Sequence, residues 1–141
     1  MKTKIPARFI MTYPPLRLNS TDSIEKAIGI FEKFKIRHLP VSDELNNIGI
    51  LSTTDLYSFN GATSDTIEGL FTRYSVNIHE DETLDEFAFY FIEKGFHALP
   101  VVNDDNELTG IISYVDVIKY LLDYIQRDAL VQVGHQKPSN L

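Results

Sequence analysis

Apolar and polar residues follow each other along this chain in a pattern that returns 60 residues later. Two apolar runs contain Leu-Pro-Val, at Leu39–Val41 and Leu99–Val101, and a polar stretch and a second apolar run follow each of them. Short apolar runs bounded by polar turn residues are typical of β-strands. The pattern therefore predicts two β-hairpins that belong to two copies of one structural unit.

A seven-residue motif lies at the end of each hairpin. Gly49–Asp55 and Gly110–Asp116 both read Gly, two aliphatic residues, Ser, two variable residues and Asp. One such motif is weak evidence, but two copies in register with the other elements indicate a tandem repeat.

An amphipathic helix is predicted before the hairpin of each copy. Apolar residues recur there at helical spacing, so each helix is expected to bury one face. Asp22 with Glu25 is the expected capping pair at the first helix start, and Thr83 with Glu86 is the expected capping box at the second.

The two helix ends differ in sequence. Gly95 favours a left-handed end in the second copy, because glycine adopts this conformation without a side-chain clash. Lys35 occupies the matching position in the first copy, and we expect that helix end to be the less favourable one.

Each copy thus reads strand, helix, strand, strand, helix. The expected fold class is α/β (α+β), with two β-α-β-β-α repeats packed about a pseudo-twofold axis, because a repeat of this size buries its apolar faces poorly alone. The predicted parts are a first repeat with its N-terminal approach segment (1–62), a second repeat (63–127) and a C-terminal tail (128–141). The predicted strands are 16–18, 38–42, 47–51, 76–78, 98–102 and 108–112, and the predicted second helices are 53–59 and 114–126.

Composition restricts the compartment and the partners. The 141 residues are 43% hydrophobic, as in folded globular proteins. No apolar run approaches the roughly 20 residues needed to cross a bilayer, and the first residues lack the apolar core of a signal peptide. We therefore expect a cytoplasmic protein that does not enter a membrane.

Charge and residue types exclude several kinds of function. Thirteen basic against 20 acidic residues give a net charge of −7, which argues against nucleic-acid binding through a basic face. The absence of cysteine removes disulfides and thiolate metal sites. The four histidines lack metal-site spacing, and no nucleophile–base pair is recognisable. We expect no metal site, no required cofactor and no enzymatic activity.

The Leu-Pro-Val strands, the acidic hairpin turns and the two motifs together resemble the CBS domain, named after cystathionine β-synthase. Two such domains in tandem resemble the Bateman module, and the resemblance covers about Ile5 to Gln126. Because nothing attached to the pair resembles an enzyme or a channel, we expect a stand-alone module.

The resemblance implies a set of ligands and a set of contact residues. Members of this family bind adenosine-containing ligands between the repeats, and the candidates are AMP, ADP, ATP, S-adenosylmethionine and cyclic di-AMP. The motif Asp accepts hydrogen bonds from the ribose hydroxyls, the motif Ser contacts ribose or phosphate, and a Thr and an apolar residue contact the base. The matching residues here are Asp55 and Asp116, Ser52 and Ser113, Thr12 and Thr72, and Ile36 and Phe96.

In such relatives one pocket combines the base shell of one repeat with the Asp of the other. Arg37 and His38 make the first pocket suited to a phosphorylated nucleotide, whereas the second is suited to adenosine, to a weakly charged ligand or to nothing. Thr54 and Val115 replace the Arg or Lys that many members carry before the motif Asp, which argues against triphosphate binding. Site one is expected to contain Thr12, Ile36, Arg37, His38, Ser113 and Asp116, and site two Thr72, Phe96, His97, Ser52 and Asp55.

Alternatives remain open at this point. Asp55 and Asp116 could simply cap the helices that follow them, since Ser-x-x-Asp is also a capping pattern. Phe89 and Tyr90 could pack between the repeats or form a dimer surface, and we favour a homodimer. The leading hypothesis is a regulatory module that senses an adenine nucleotide and signals to an unknown partner protein. The alternative is a ligand-free dimeric scaffold with degenerate pockets.

Overall fold

Two β-hairpins lie at the centre of the fold, one in each repeat. The computed structural model describes residues 4–57, 59–73 and 76–133. Its first part contains a 3-10 turn (Ala7–Phe9), β1 (Leu18–Asn19), α1 (Ile24–Phe34), β2 (His38–Ser42), β3 (Ile48–Ser52), a 3-10 helix (Thr53–Leu56) and β4 (Thr72–Arg73). Its second part contains β5 (Ile78–His79), α2 (Leu84–Ile92), β6 (Ala98–Val102), β7 (Leu108–Ser113) and α3 (Tyr114–Val133). The mixed α/β class with two repeats is confirmed.

Each repeat builds its own small sheet around its hairpin. The first has the order β1-β2-β3-β4 and the second the order β5-β6-β7. In both hairpins the strands are antiparallel, with Leu39 opposite Leu51 and Leu99 opposite Ile112. These four side chains are fully buried. The predicted hairpins are confirmed, whereas the short strands begin two residues later and end one residue later than predicted, at 18–19 and 78–79.

The segments that precede the repeats are exchanged in space. Ile5 and Ile10 are buried in the core of the second repeat, against Phe87 of α2. Ile67 and Phe71 are buried in the core of the first repeat. A division of the chain at residue 62 therefore separates each segment from the hydrophobic core that it covers.

Backbone hydrogen bonds hold the exchanged segments in place. Thr12 exchanges two bonds with Ile111 of β7, with N···O distances of 2.9 and 3.2 Å. In the sheet of the first repeat, Thr72 of β4, which belongs to the second repeat in sequence, lies opposite Ile50 of β3. The two threonines therefore occupy matching positions beside the motif strand of the other repeat.

The motif glycines permit this close approach. An ideal Cβ on Gly49 would lie 2.5 Å from the carbonyl oxygen of Thr72 and 2.6 Å from the ring of Phe71. A Cβ on Gly110 would instead collide with the side chain of Met11. The first motif residue is thus glycine because a neighbouring segment lies directly on it.

Gly49→Ala should be more destabilising than Gly110→Ala. The new methyl group at position 49 meets a backbone carbonyl and the buried ring of Phe71, and such overpacking costs about 1–3 kcal/mol. Met11 is flexible enough to move away from a methyl group at position 110. Denaturant unfolding of both variants measures the two losses, and a greater loss at Gly110 would contradict this account.

Both predicted capping pairs are wrong in detail. Ser23, not Asp22, is the N-cap of α1, and its side chain accepts a bond of 3.1 Å from the backbone N–H of Lys26. Asp22 instead accepts bonds from the backbone of Asn19 and the Lys26 ammonium. Thr83 is the N-cap of α2 by position, but its hydroxyl makes no capping bond.

Carbonyl groups of the exchanged segments also reach both helix starts. The backbone N–H of Ile24 donates to the carbonyl of Asp65, and that of Leu84 donates to the carbonyl of Ile5, both at 2.8 Å. Helix starts have N–H groups without partners in the helix itself. Ser23 caps α1 in the presence of such a bond, so the bond does not replace a side-chain cap. In α2 the Thr83 hydroxyl is instead directed to the carboxylates of Asp85 and Glu86 and caps no N–H group.

The helices that follow the motifs also differ from prediction. The first is only the 3-10 helix Thr53–Leu56, four residues long, instead of 53–59. The second, α3, continues to Val133, past its predicted end at 126 and into the predicted tail. Residues 134–141 of that tail lie outside the described residues. None of the helices in the described ranges is long and apolar enough to cross a membrane.

Candidate functional site

Two pockets lie between the repeats, and His38 lines both of them. Pocket one has a cavity volume of about 460 Å³, and pocket two has a volume of about 240 Å³. The hairpins position both pockets. The residues just before β2 and the motif at the end of β7 line pocket one, whereas the residues just before β6 and the motif at the end of β3 line pocket two. The pseudo-twofold arrangement therefore creates two related but unequal cavities.

Pocket one is built from three separate parts of the chain. Thr12 comes from the exchanged N-terminal segment, Ile36, Arg37 and His38 precede or begin β2, and the motif of the second repeat supplies the far wall. All six residues predicted for site one line this cavity, namely Thr12, Ile36, Arg37, His38, Ser113 and Asp116. The structure thus brings together residues up to 104 positions apart, as in the Thr12–Asp116 pair.

Pocket two contains all five residues predicted for site two. They are Thr72, Phe96, His97, Ser52 and Asp55, which lie with Ile50, Gly95 and His38 around the smaller cavity. Among the residues that the structure describes, no lysine or arginine lines pocket two. Its composition therefore matches the expectation of a weakly charged pocket, while ligand binding itself remains a prediction for both pockets.

Asp116 caps α3 with one oxygen and leaves the other largely available. Its Oδ2 accepts bonds from the backbone N–H and the hydroxyl of Ser113, at 2.8 and 3.0 Å. The hydroxyl oxygen of Ser113 in turn accepts from the N–H of Asp116. Among the described residues, Oδ1 has only a long contact of 3.5 Å with Thr12 Oγ1. Because a carboxylate oxygen can accept two hydrogen bonds, Oδ1 can receive ligand hydroxyls while the cap stays intact.

Asp55 has the same arrangement in pocket two. Ser52 and Asp55 form a capping box in which Asp55 Oδ2 accepts a 2.7 Å bond from the Ser52 N–H. No described residue donates to Asp55 Oδ1. Capping and ligand binding are therefore compatible at both motif positions, and the capping interpretation is confirmed without excluding the other.

Several pocket-one residues were missed in the sequence. Lys119 lies three residues after Asp116, which places it on the same side of α3. Lys35 ends α1, and Tyr114 begins α3 with its ring 5.7 Å from that of His97. The helical spacing from Asp116 could have identified Lys119, whereas the positions of Lys35 and Tyr114 depend on how the two repeats pack.

His38 is half-buried between the two motif carboxylates. Burial lowers its pKa below the ordinary 6.5, and the nearby imidazole of His97 and guanidinium of Arg37 lower the pKa further. Asp55 and Asp116 act in the opposite direction, but burial is the largest effect. His38 and His97 are in edge contact, with ring centroids 6.3 Å apart. A neutral His38 at pH 7 therefore separates the two pockets.

The lowered pKa of His38 predicts a loss of stability in acid. The unfolded chain binds a proton near pH 6.5, and the folded chain does so only at lower pH, so stability is complete above pH 6.5 and falls as the pH drops through the folded-state pKa. His38→Gln removes this contribution. Melting temperatures measured from pH 7.5 to 5 should fall less for the variant than for the parent protein. Parallel curves would contradict the assignment.

Comparison with known proteins places these features in a family context. The sequence model of the CBS domain matches residues 7–60 and 67–123. L-aspartate semialdehyde sulfurtransferase of Methanocaldococcus jannaschii is 33% identical over 109 residues, which are 77% of this chain and 21% of that protein. The chain spans from about a fifth to about half of the length of the first curated relatives that it matches.

Solved structures share this fold over most of the chain. The CBS domain pair of protein MJ0100, in complex with 5′-methylthioadenosine and S-adenosyl-L-methionine, has a TM-score of 0.74 and 30% identity, and covers 86% of this chain and 98% of its own. CBSX2 in complex with AMP has a TM-score of 0.71 and 21% identity, with 84% and 97% covered. At the lower identity, the similarity to CBSX2 concerns the fold alone.

Proposed function

The chain belongs to the CBS domain family, and we propose that it is a regulatory module whose pocket one binds a phosphorylated adenosine nucleotide, with AMP, ADP and ATP as candidates. The observation that carries this proposal is the arrangement in pocket one. There the available oxygen of Asp116 and the cation of Arg37 line one cavity, together with the apolar residue Ile36. These groups match the ribose, the phosphate and the base of one ligand.

The chemistry of each contact supports this choice. Two adjacent ribose hydroxyls are donors, and the carboxylate of Asp116 is an acceptor with two oxygens. Arg37 is always protonated and binds phosphate oxygens with several N–H groups. A cavity of about 460 Å³ lies within the range of small-molecule sites.

Pocket two is proposed to take a smaller or uncharged adenosine derivative, or to stay empty. It has a base platform in Phe96 and the available carboxylate oxygen of Asp55. The related MJ0100 pair was solved with 5′-methylthioadenosine and S-adenosyl-L-methionine, so adenosine compounds without phosphate are reasonable candidates here. Cyclic di-AMP is a further candidate for either pocket.

We further propose that the module acts as a homodimer and signals through it to a partner protein. The exposed apolar residues of the helices support this, since Ile92 on α2 is 80% exposed and Ile118, Leu122 and Ile125 form a stripe along α3. Phe89 belongs to this exposed set, whereas Tyr90 packs against the core of the second repeat. Ligand would act by favouring one arrangement of the protomers. Regulation without catalysis and a cytoplasmic location remain predictions.

Isothermal titration with AMP, ADP, ATP, S-adenosylmethionine and cyclic di-AMP tests the proposed function. We expect at least one phosphorylated ligand to bind, and sedimentation of the free and bound protein to show a dimer in both states. If none of the five binds and the protein is still dimeric, the ligand-free scaffold is the correct function. The exposed α3 stripe is the observation that favours that second candidate.

A further inference from the structure

Lys35 and Gly95 occupy matching positions of the two repeats, between the first helix and the strand that follows it. Both have a left-handed backbone, with φ of 53° for Lys35 and 72° for Gly95. Lys35 lines pocket one, and Gly95 lines pocket two. At this one structural position, pocket one receives a cation and pocket two does not.

This position is unfavourable for lysine. A left-handed conformation brings Cβ too close to the following carbonyl oxygen in any L-residue, and glycine avoids that contact. The second repeat has the favourable residue, and the first does not. Backbone strain that persists beside a cavity is a reason to ask whether the side chain has a role there.

A purely structural explanation for Lys35 is weak. Cations near the end of a helix interact favourably with its dipole, but Lys33 already provides one in the last turn of α1. The Lys33 ammonium lies 5.3 Å from the centroid of the Phe34 ring and does not line the pocket. The helix end therefore has a basic residue without Lys35.

Two further cations line pocket one together with Lys35. They are Arg37, which precedes β2, and Lys119, which lies one turn beyond Asp116 on α3. Within the described part of the chain, none of these three side chains has an ion-pair partner. Val115, where many relatives carry a cation, is apolar here, so the positive charge of this pocket comes from other places in the fold.

We propose that Lys35, together with Lys119 in the same cavity, determines the specificity of pocket one for adenosine ligands that carry phosphate. This rests on the proposed nucleotide-binding function and adds the residues that select the ligand class. The first repeat keeps a strained helix end because the lysine attracts the phosphate group. S-adenosylmethionine has a sulfonium cation in place of the phosphate, so it should bind pocket one more weakly than AMP.

The test is Lys35→Gly, which should change stability and affinity in opposite directions. Loss of the left-handed strain should raise the melting temperature by about 2–4 °C. Loss of the cation should weaken AMP binding about 3–10-fold at low salt, while adenosine binding stays within about twofold. Isothermal titration with AMP and with adenosine, and thermal unfolding without ligand, give the three values.

Matched variants separate charge from backbone. Lys33→Gln removes one charge from the same helix outside the pocket and should leave AMP affinity unchanged. Lys35→Arg should keep AMP affinity, and Lys35→Asn, which tolerates the left-handed backbone, should lose it as Lys35→Gly does. Unchanged AMP affinity in Lys35→Gly, with AMP binding intact in the parent protein, would overturn only the role of Lys35. Failure of the parent protein to bind either AMP or adenosine would overturn the proposed function as well.

Discussion

Replacing Asp116 with alanine is expected to weaken AMP binding about 10–100-fold, the largest effect on affinity that we predict. A hydrogen bond to a charged group contributes about 1.5–3 kcal/mol, and Asp116 Oδ1 is the acceptor that pocket one offers to ribose hydroxyls. Adenosine binding to pocket one should weaken by a similar factor, because both ligands carry the same ribose. Isothermal titration with both ligands measures the two ratios.

Asp55→Ala is the matched control for this experiment. Both substitutions remove the acid of a Ser-Asp cap and should cost about 0.5–2 kcal/mol of folding stability. Only Asp116 lines pocket one, so Asp55→Ala should leave the AMP affinity of that pocket unchanged. Equal loss of affinity in the two variants would show that the effect comes from destabilisation, and unchanged affinity in Asp116→Ala would remove the residue from the site.

The largest expected effect on stability comes from the exchanged segments. Ile10 and Ile67 are buried, at 7% and 0% exposure, in the core of the repeat to which their segment does not belong in sequence. Replacing either with alanine should cost about 2–5 kcal/mol, since a buried isoleucine leaves a cavity that its neighbours fill only in part. Denaturant unfolding gives the size of each loss.

Hydrogen exchange of the backbone amides gives the location of the loss. Ile10→Ala should speed exchange mainly in β6 and β7, although residue 10 is near the start of the chain. Ile67→Ala should speed exchange mainly in β2 and β3. If each substitution loosened the repeat that is adjacent in sequence, the exchange of segments would be wrong.

The spacing of apolar residues and the polar turn residues between them were sufficient to predict the hairpins and the repeat. Leu39 and Leu99 lie in apolar runs bounded by polar turns, and these local patterns specify a strand wherever the run packs. The left-handed end at Lys35 was also predictable, because Gly95 at the matching position of the repeat identified the conformation. These features depend on residues close together in the chain.

The helix starts show where local patterns fail. Thr83 and Glu86 have the spacing of a capping box, yet the Thr83 hydroxyl donates to the carboxylates of Asp85 and Glu86 and caps no N–H group. The N–H that begins α2 donates to the carbonyl of Ile5, nearly 80 residues away in sequence, and no local rule includes that acceptor. The length of α3 was underestimated although the sequence has Gly134 directly after Val133, a residue type that usually marks a helix end.

The candidate site, too, could be predicted from the sequence only in part. The motif residues Ser113 and Asp116 could be selected from their repeat, and the resemblance to a known family supplied the pairing of repeats that joins them to Arg37. The role of these residues in binding stays a prediction. Lys119 lines the same cavity, and its helical spacing from Asp116 could have identified it, whereas the place of Lys35 at this cavity depends on how the two repeats pack.

The sequence by itself determined the duplicated hairpin unit and the motif that ends it. It also determined the difference in charge between Arg37 in one repeat and its counterpart in the other. These properties are fixed by residue order over short distances. The tertiary structure decided which segment covers which core, which oxygen of Asp116 remains available, and that Lys35 in its left-handed conformation lies at a cavity. Those properties arise from contacts between residues far apart in the chain, where packing and backbone pairing override local preference.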